Sequence, residues 1–159
     1  MALKMSTALK NQMMNSIRGE IAASTYSLKN GCLWIFSGSQ PATADAAATG
    51  TALLKITVSS GAFVHGSATN GLNFDSPAAG VLSKAAAESW SGLGLSDGTA
   101  GWFRFVGNPT DDLGISTTLP RIDGRVSTSG AEMTLSTLSI VTGATVTIDS
   151  FAINFPSTL

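Results

Sequence analysis

Charged residues are scarce in this sequence: Asp, Glu, Lys and Arg make up 12 % of its 159 residues, about half the roughly 25 % typical of soluble domains. The nine basic residues run from Lys4 to Arg125 without a cluster, and the formal net charge is −1. A long-range pull on phosphate is therefore missing, and nucleic-acid binding is not expected. A single cysteine, Cys32, rules out an internal disulfide. It sits in the apolar run CLWIF, as a small core residue would, in a chain made and kept in a reducing cytoplasm. No apolar run approaches the roughly 18 residues of a membrane span, and the N-terminal stretch carries Lys4, Lys10, Arg18 and Glu20 where a signal peptide would be apolar. Neither membrane insertion nor secretion is expected.

The single histidine, His65, has no neighbouring ligand set, so a zinc site would need Cys32 or carboxylates distant in sequence. Serine is plentiful, yet no G-x-S-x-G elbow occurs and no base is placed beside a nucleophile. Asp111 and Asp112 are the only adjacent carboxylates, and the spacing of a calcium loop is missing around them. SGLGLSDG has G-x-G spacing with the third glycine displaced and no strand-to-helix context, which argues against a phosphate loop. Pro109 within Asn-Pro-Thr blocks glycosylation. Trp34, Trp90, Trp102, Phe103 and Phe105 fall in strand-like settings that favour packing over a sugar platform. These readings point away from an enzyme and call for no catalytic residue, metal or cofactor.

What is present is mostly small and neutral. A surface with few charges keeps molecules apart poorly, so the composition favours a component covered by neighbours in an assembly. Residues 7–23 read as the one substantial helix. Ser6 or Thr7 can cap it, and Leu9, Met13, Ile17 and Ile21 recur every fourth residue, with Met14 widening the stripe. The stripe either covers the domain's own sheet or docks on a neighbouring subunit. After the turn signal Asn30-Gly31 the period changes to that of strands. CLWIF is apolar on both faces and reads as a central strand, and TALLKITVS reads as a half-buried one.

Further strands are expected near 61–65, 79–82 and 84–90, in GWFRFVG, in PRIDGRVST, near 132–140 and over 144–155, with a hinge at Thr142-Gly143 and a long loop NPTDDLGISTT. One helix followed by seven to nine short strands is the pattern of an antiparallel β-sandwich, jelly-roll-like, with an N-terminal amphipathic helix. The expected division is an N-terminal helical arm over 1–30 and a single sandwich domain over 31–159. In TVTIDSFAINF, Val146 and Ile148 share one parity while Phe151, Ile153 and Phe155 share the other. A β-bulge near Asp149-Ser150 would bring both sets to the core; otherwise Phe151 and Phe155 would anchor a neighbouring subunit.

Three segments, QPATADAAATGTALLKITVS, TAGWFRFVG and PRIDGRVSTSGAEMTLSTLSIVTGATVTIDSF, together resemble a group of small all-β proteins encoded by tailed bacteriophages and prophages. The likeness covers about two thirds of the chain and rests on the order of the three motifs. The segment from His65 to Ala79 and the loop NPTDDLGISTT are longer here than in short members of that group. The resemblance implies a virion structural protein, made in the host bacterial cytoplasm, that cements or decorates the capsid as a dimer or other homo-oligomer against the major capsid protein. A position in the tail or neck is the rival. A carbohydrate- or receptor-binding module is the alternative of a different class, and a hydrolase with a scattered triad is a third.

In this setting Gln40-Pro41 gives an extended exit from the first long strand. Asp45 can cap a single turn of Ala46, Ala47 and Ala48, and Gly50 can end it with positive φ. Small side chains allow close backbone approach, so Gln40, Pro41 and Asp45 join the helix stripe as candidate interface residues.

Overall fold

A computed structural model describes residues 3–17 and 27–154, with the backbone alone described over 14–17. Twelve elements follow in order: β1 (Lys4–Met5), α1 (Thr7–Ile17), β2 (Cys32–Ser37), β3 (Ala52–Val58), β4 (Val81–Ser83), β5 (Trp90–Leu93), β6 (Gly98–Val106), β7 (Arg121–Ser127), β8 (Met133–Thr134), β9 (Ser139–Ile140), β10 (Thr145–Ile148) and β11 (Ala152–Asn154). The fold is mainly β, an antiparallel sandwich with one short N-terminal helix. The large sheet runs β1-β7-β6-β2-β3-β5-β10, with β9 on β6 and β8 alongside β7. Among the described strands only the β7–β8 pairing is parallel, with one isolated parallel bridge between Gly94 and Thr142. A small sheet pairs β11 with β4.

CLWIF has no polar face because both of its faces are covered. β2 lies between β3 and β6, with Leu33 and Ile35 in one buried layer and Cys32 and Phe36 in another. β3 pairs with β2 over its first part and with β5 through Thr57 and Val58, so it carries the sheet round to the opposite side of the core. There the rings of Phe74, Trp90, Phe105 and Phe151 meet, with Trp90 and Phe105 centroids 5.7 Å apart and Phe105 and Phe151 6.4 Å apart. Fully burying aromatic and aliphatic side chains of this size stabilises by about 1.5–3 kcal/mol each.

Several expected elements come out differently. The helix is described to Ile17, and the rest of the expected span, Ile21 included, lies outside the described residues. Residues 61–65 form no strand: Ser59 and Ser60 take φ of 51° and 55°, and the chain turns onto the surface, where Phe63 packs on Lys55 and His65. β4 starts at Val81, because Ala79 and Gly80 both take positive φ in a tight turn closed by reciprocal bonds between Ala78 and Val81. Residues 85–89 form a turn, not the expected strand, with the Glu88 N–H on the Ala85 carbonyl and the Ala86 N–H on Asp75. The run 132–140 contains two short strands, each paired at a different place.

The parity conflict in TVTIDSFAINF is resolved by a change of sheet. β10 ends at Ile148, residues 149–151 are irregular, and β11 joins β4. Ile148, Phe151 and Ile153 are all buried. Phe151 therefore belongs to this chain's own core, correcting its expected role as an anchor for a neighbour; Phe155 lies outside the described residues.

Candidate functional site

The second face of β2, β6 and β7 carries the molecule's most unusual chemistry. Cross-strand partners on one face of a sheet stand about 4.5–5.5 Å apart, and register places Lys55, Trp34, Arg104, Asp123 and Lys4 in one row across β3, β2, β6, β7 and β1. Arg104 donates from Nε and Nη2 to the two carboxylate oxygens of Asp123, both at 2.8 Å, and neither side chain has any exposed area. Arg104 lies over the Trp102 ring at 5.4 Å, and Lys55 Nζ lies over Trp34 at 5.1 Å. One row along, Arg121 makes two bonds to Asp111, from Nε at 2.7 Å and from Nη2 at 2.5 Å, and a third from Nη1 to the Gly114 carbonyl at 2.8 Å. Burial pushes the Asp123 carboxyl above its ordinary value, while Arg104, Arg121 and Lys4 pull against that rise.

Two loops close over this face. Residues 38–50 cross it with Ala44 fully buried and Gln40 8 % exposed. Thr49 accepts the Trp102 indole N–H at 3.2 Å, and Pro41 accepts from Lys4 Nζ. Residues 107–119 come from the other side and meet the first loop through Ala48 N–H to Leu113 O at 2.8 Å and Ser116 N–H to Asp45 O at 2.9 Å. Asp45 does not cap its own alanines. Its Oδ1 accepts the Thr7 N–H at 2.8 Å and its Oδ2 the Thr7 hydroxyl at 2.6 Å, so it sits at the N-terminus of α1, 38 positions earlier. A carboxylate there satisfies a free N–H and faces the positive end of the helix dipole. Ser6 shares the task through Leu9 N–H at 3.3 Å, and its hydroxyl also accepts the Arg121 N–H. Gly50 does take positive φ, at 80°.

The candidate interface residues therefore separate. Gln40 and Pro41 are buried within the chain and Asp45 is engaged with α1, so none of the three presents its side chain to a neighbour as expected. Leu9 packs against the chain's own core and Met13 is half-buried. Met14 and Ile17 lie in the helix, their side chains outside the described residues. What the first loop turns outward is Ala42, Thr43, Thr49 and Gly50, with Ala46, Ala47 and Ala48 half-buried between them.

The remaining candidates have structural partners. His65 Nδ1 lies 3.3 Å from the Asn108 carbonyl, and its ring meets Phe63 edge-on. Asp111 and Asp112 part company, one to Arg121 and the other to the Gly114 N–H at 2.9 Å. Burial pushes the Cys32 thiol up to about 12, far from a thiolate nucleophile. The G-x-G pair, Gly92 and Gly94, lies where a Cβ would be 2.0 Å from the Lys55 carbonyl and 2.2 Å from that of Val141, so these glycines permit close strand contact. Trp90 and Trp102 are fully buried, each donating its indole N–H within the chain, and Trp34 is half-buried under Lys55. Among the described residues no group of three His, Cys, Asp or Glu side chains could hold a metal ion.

Sequence reasoning missed the Arg104–Asp123 and Arg121–Asp111 pairs. A signal was available: WFRFV sets one cation, and RIDGRV charges of both signs, among apolar strand residues, a pattern that burial tolerates only when the charges pair. Searches with this chain found no matching protein family, curated protein or solved structure.

Proposed function

We propose that this chain is a virion structural protein of a tailed bacteriophage that cements or decorates the capsid through contacts with the major capsid protein, as a homo-oligomer. The observation that carries the reading is where the three phage-like segments lie. QPATADAAATG forms the first loop of the lid, WFR supplies Trp102 and Arg104, and IDG supplies Asp123, so all three build one buried latch. The motifs that carry the resemblance thus build a scaffold whose covering loop is small-residued and hydrogen-bonded to its own sheet and to the second loop, which suits close packing against another protein.

The low charge supports the same reading, since a neutral surface is tolerated best where neighbours cover it. For the carbohydrate-binding alternative, all three tryptophans are already engaged within the chain, which leaves that reading without its expected stacking platform. A position in the tail or neck would call on the same surfaces.

The test is reconstitution. Purified protein is mixed with shells assembled from tailed-phage major capsid proteins and sedimented through a gradient. Co-migration at a fixed stoichiometry is expected. Failure to co-migrate, together with a positive glycan array, would favour the binding module.

A further inference from the structure

The strand β10 ends the large sheet, pairing with β5 and, among the described residues, with no strand on its other side. The Gly94 N–H donates to the Ala144 carbonyl at 2.9 Å, and with Thr145 opposite Leu93 the alternation of an antiparallel ladder gives Val146 and Ile148 to β5. Thr145 and Thr147 are left with N–H and C=O directed outward. Both residues are exposed. The chain's own Thr134–Thr137 segment stands across a groove of about 310 Å³ from this edge and does not pair with it.

Exposed edges are usually blunted by charge, proline or a bulge, and this one has none of them: no charged residue occurs from Met133 to Ile148. Three of the most exposed large apolar side chains described lie on neighbouring segments of the chain, Leu93 of β5 at 51 %, opposite Thr145, with Leu95 at 50 % and Val141 at 54 %.

We propose that β10 is a self-association edge, pairing antiparallel with β10 of a second copy of this chain about a twofold axis through Val146. The register follows from the outward groups. Thr145 of one copy falls opposite Thr147 of the other, and each pair exchanges both of its backbone hydrogen bonds, as directly opposed residues do at alternate positions of an antiparallel ladder. Charge favours a second copy as the occupant. A twofold interface sets residues near the axis against themselves, where any charge would meet its own sign, and this strip carries none. The nearest charge, Asp149, falls opposite Gly143 of the partner subunit. This inference gives an edge and a register to the homo-oligomer of the virion reading, but it rests on the strand geometry and stands without the capsid contact.

The test uses the whole chain in sedimentation velocity over a concentration series, with amide hydrogen exchange at each concentration. Dimers are expected, and the Thr145 and Thr147 amides should become protected as dimers form. Thr147→Lys leaves pairing with β5 intact and sets two like charges across the axis; it should lose the dimer while circular dichroism, and the thermal midpoint at concentrations where the native chain is monomeric, stay unchanged. Thr147→Pro removes only an outward donor and should do the same. A chain that stays monomeric with these amides exchanging freely would overturn the proposal and leave the edge to another protein's strand. So would a dimer that survives both substitutions.

Discussion

Removing one member of the Arg104–Asp123 pair should be far more damaging than removing both. The two side chains are fully buried and joined by two bonds of 2.8 Å, and Arg104 Nη1 already has no hydrogen-bond partner among the described residues. Asp123→Asn strands a guanidinium that cannot release its proton, and breaking a buried pair from one side costs about 3–5 kcal/mol. For a chain of this length each kcal/mol moves the thermal midpoint by about 2–4 °C, so a drop of about 6–20 °C is expected. Arg104→Met leaves a carboxyl whose pKa burial already raises and removes the strongest opposing influence. Its folded pKa must rise further above its unfolded value, so the folded state takes up the proton first. The deficit of Arg104→Met is therefore largest at neutral pH and shrinks as pH falls through that raised folded value. The double variant Arg104→Met, Asp123→Leu should regain most of the loss, since apolar replacement of a buried pair is often neutral. Urea denaturation of the native protein and the three variants across pH measures these deficits. Single variants each losing less than about 1 kcal/mol, the range of exposed pairs, would refute the buried latch.

Asp45→Ala should cost about 0.5–2 kcal/mol, the usual loss for a helix cap, and should lower helical circular dichroism, although Asp45 is far from α1 in sequence. Cys32, buried and with its thiol pushed up to about 12, should resist a thiol reagent at pH 8 in the native protein and react fully once denatured. Asp97 accepts the Thr142 N–H at 2.7 Å, which holds its carboxyl below the ordinary 3.8. Its contribution is present above pH 3.8 and lost as pH falls through the lower folded value, so amide exchange at Thr142 should accelerate there.

The strands legible in the sequence are those whose alternation is long enough to show. CLWIF, GWFRFVG and PRIDGRVST each became a strand, and the first is central because both of its faces are apolar. Turn chemistry decided where reading was poorer. Ala79, an alanine with φ of 49°, gave no sign of a hairpin, and the serines at 59 and 60 took positive φ at positions where no glycine marked it. The latch was least legible. Its members lie 10 to 53 positions apart, and a lone Asp in an alanine-rich loop suggests a local cap before it suggests a distant one. Tertiary placement overrode that local preference, as it did for Gln40 and Pro41, whose small neighbours suggested an exposed contact and in fact let the loop press close to its own sheet.

The central proposal, a structural place in a virion, is tested most directly by quantitative mass spectrometry of gradient-purified phage particles from cells in which this chain is expressed. The account predicts that the chain bands with the particles at a fixed ratio to the major capsid protein and remains through repeated gradients. Its recovery only in the soluble fraction, with particles that carry none of it, would contradict the account.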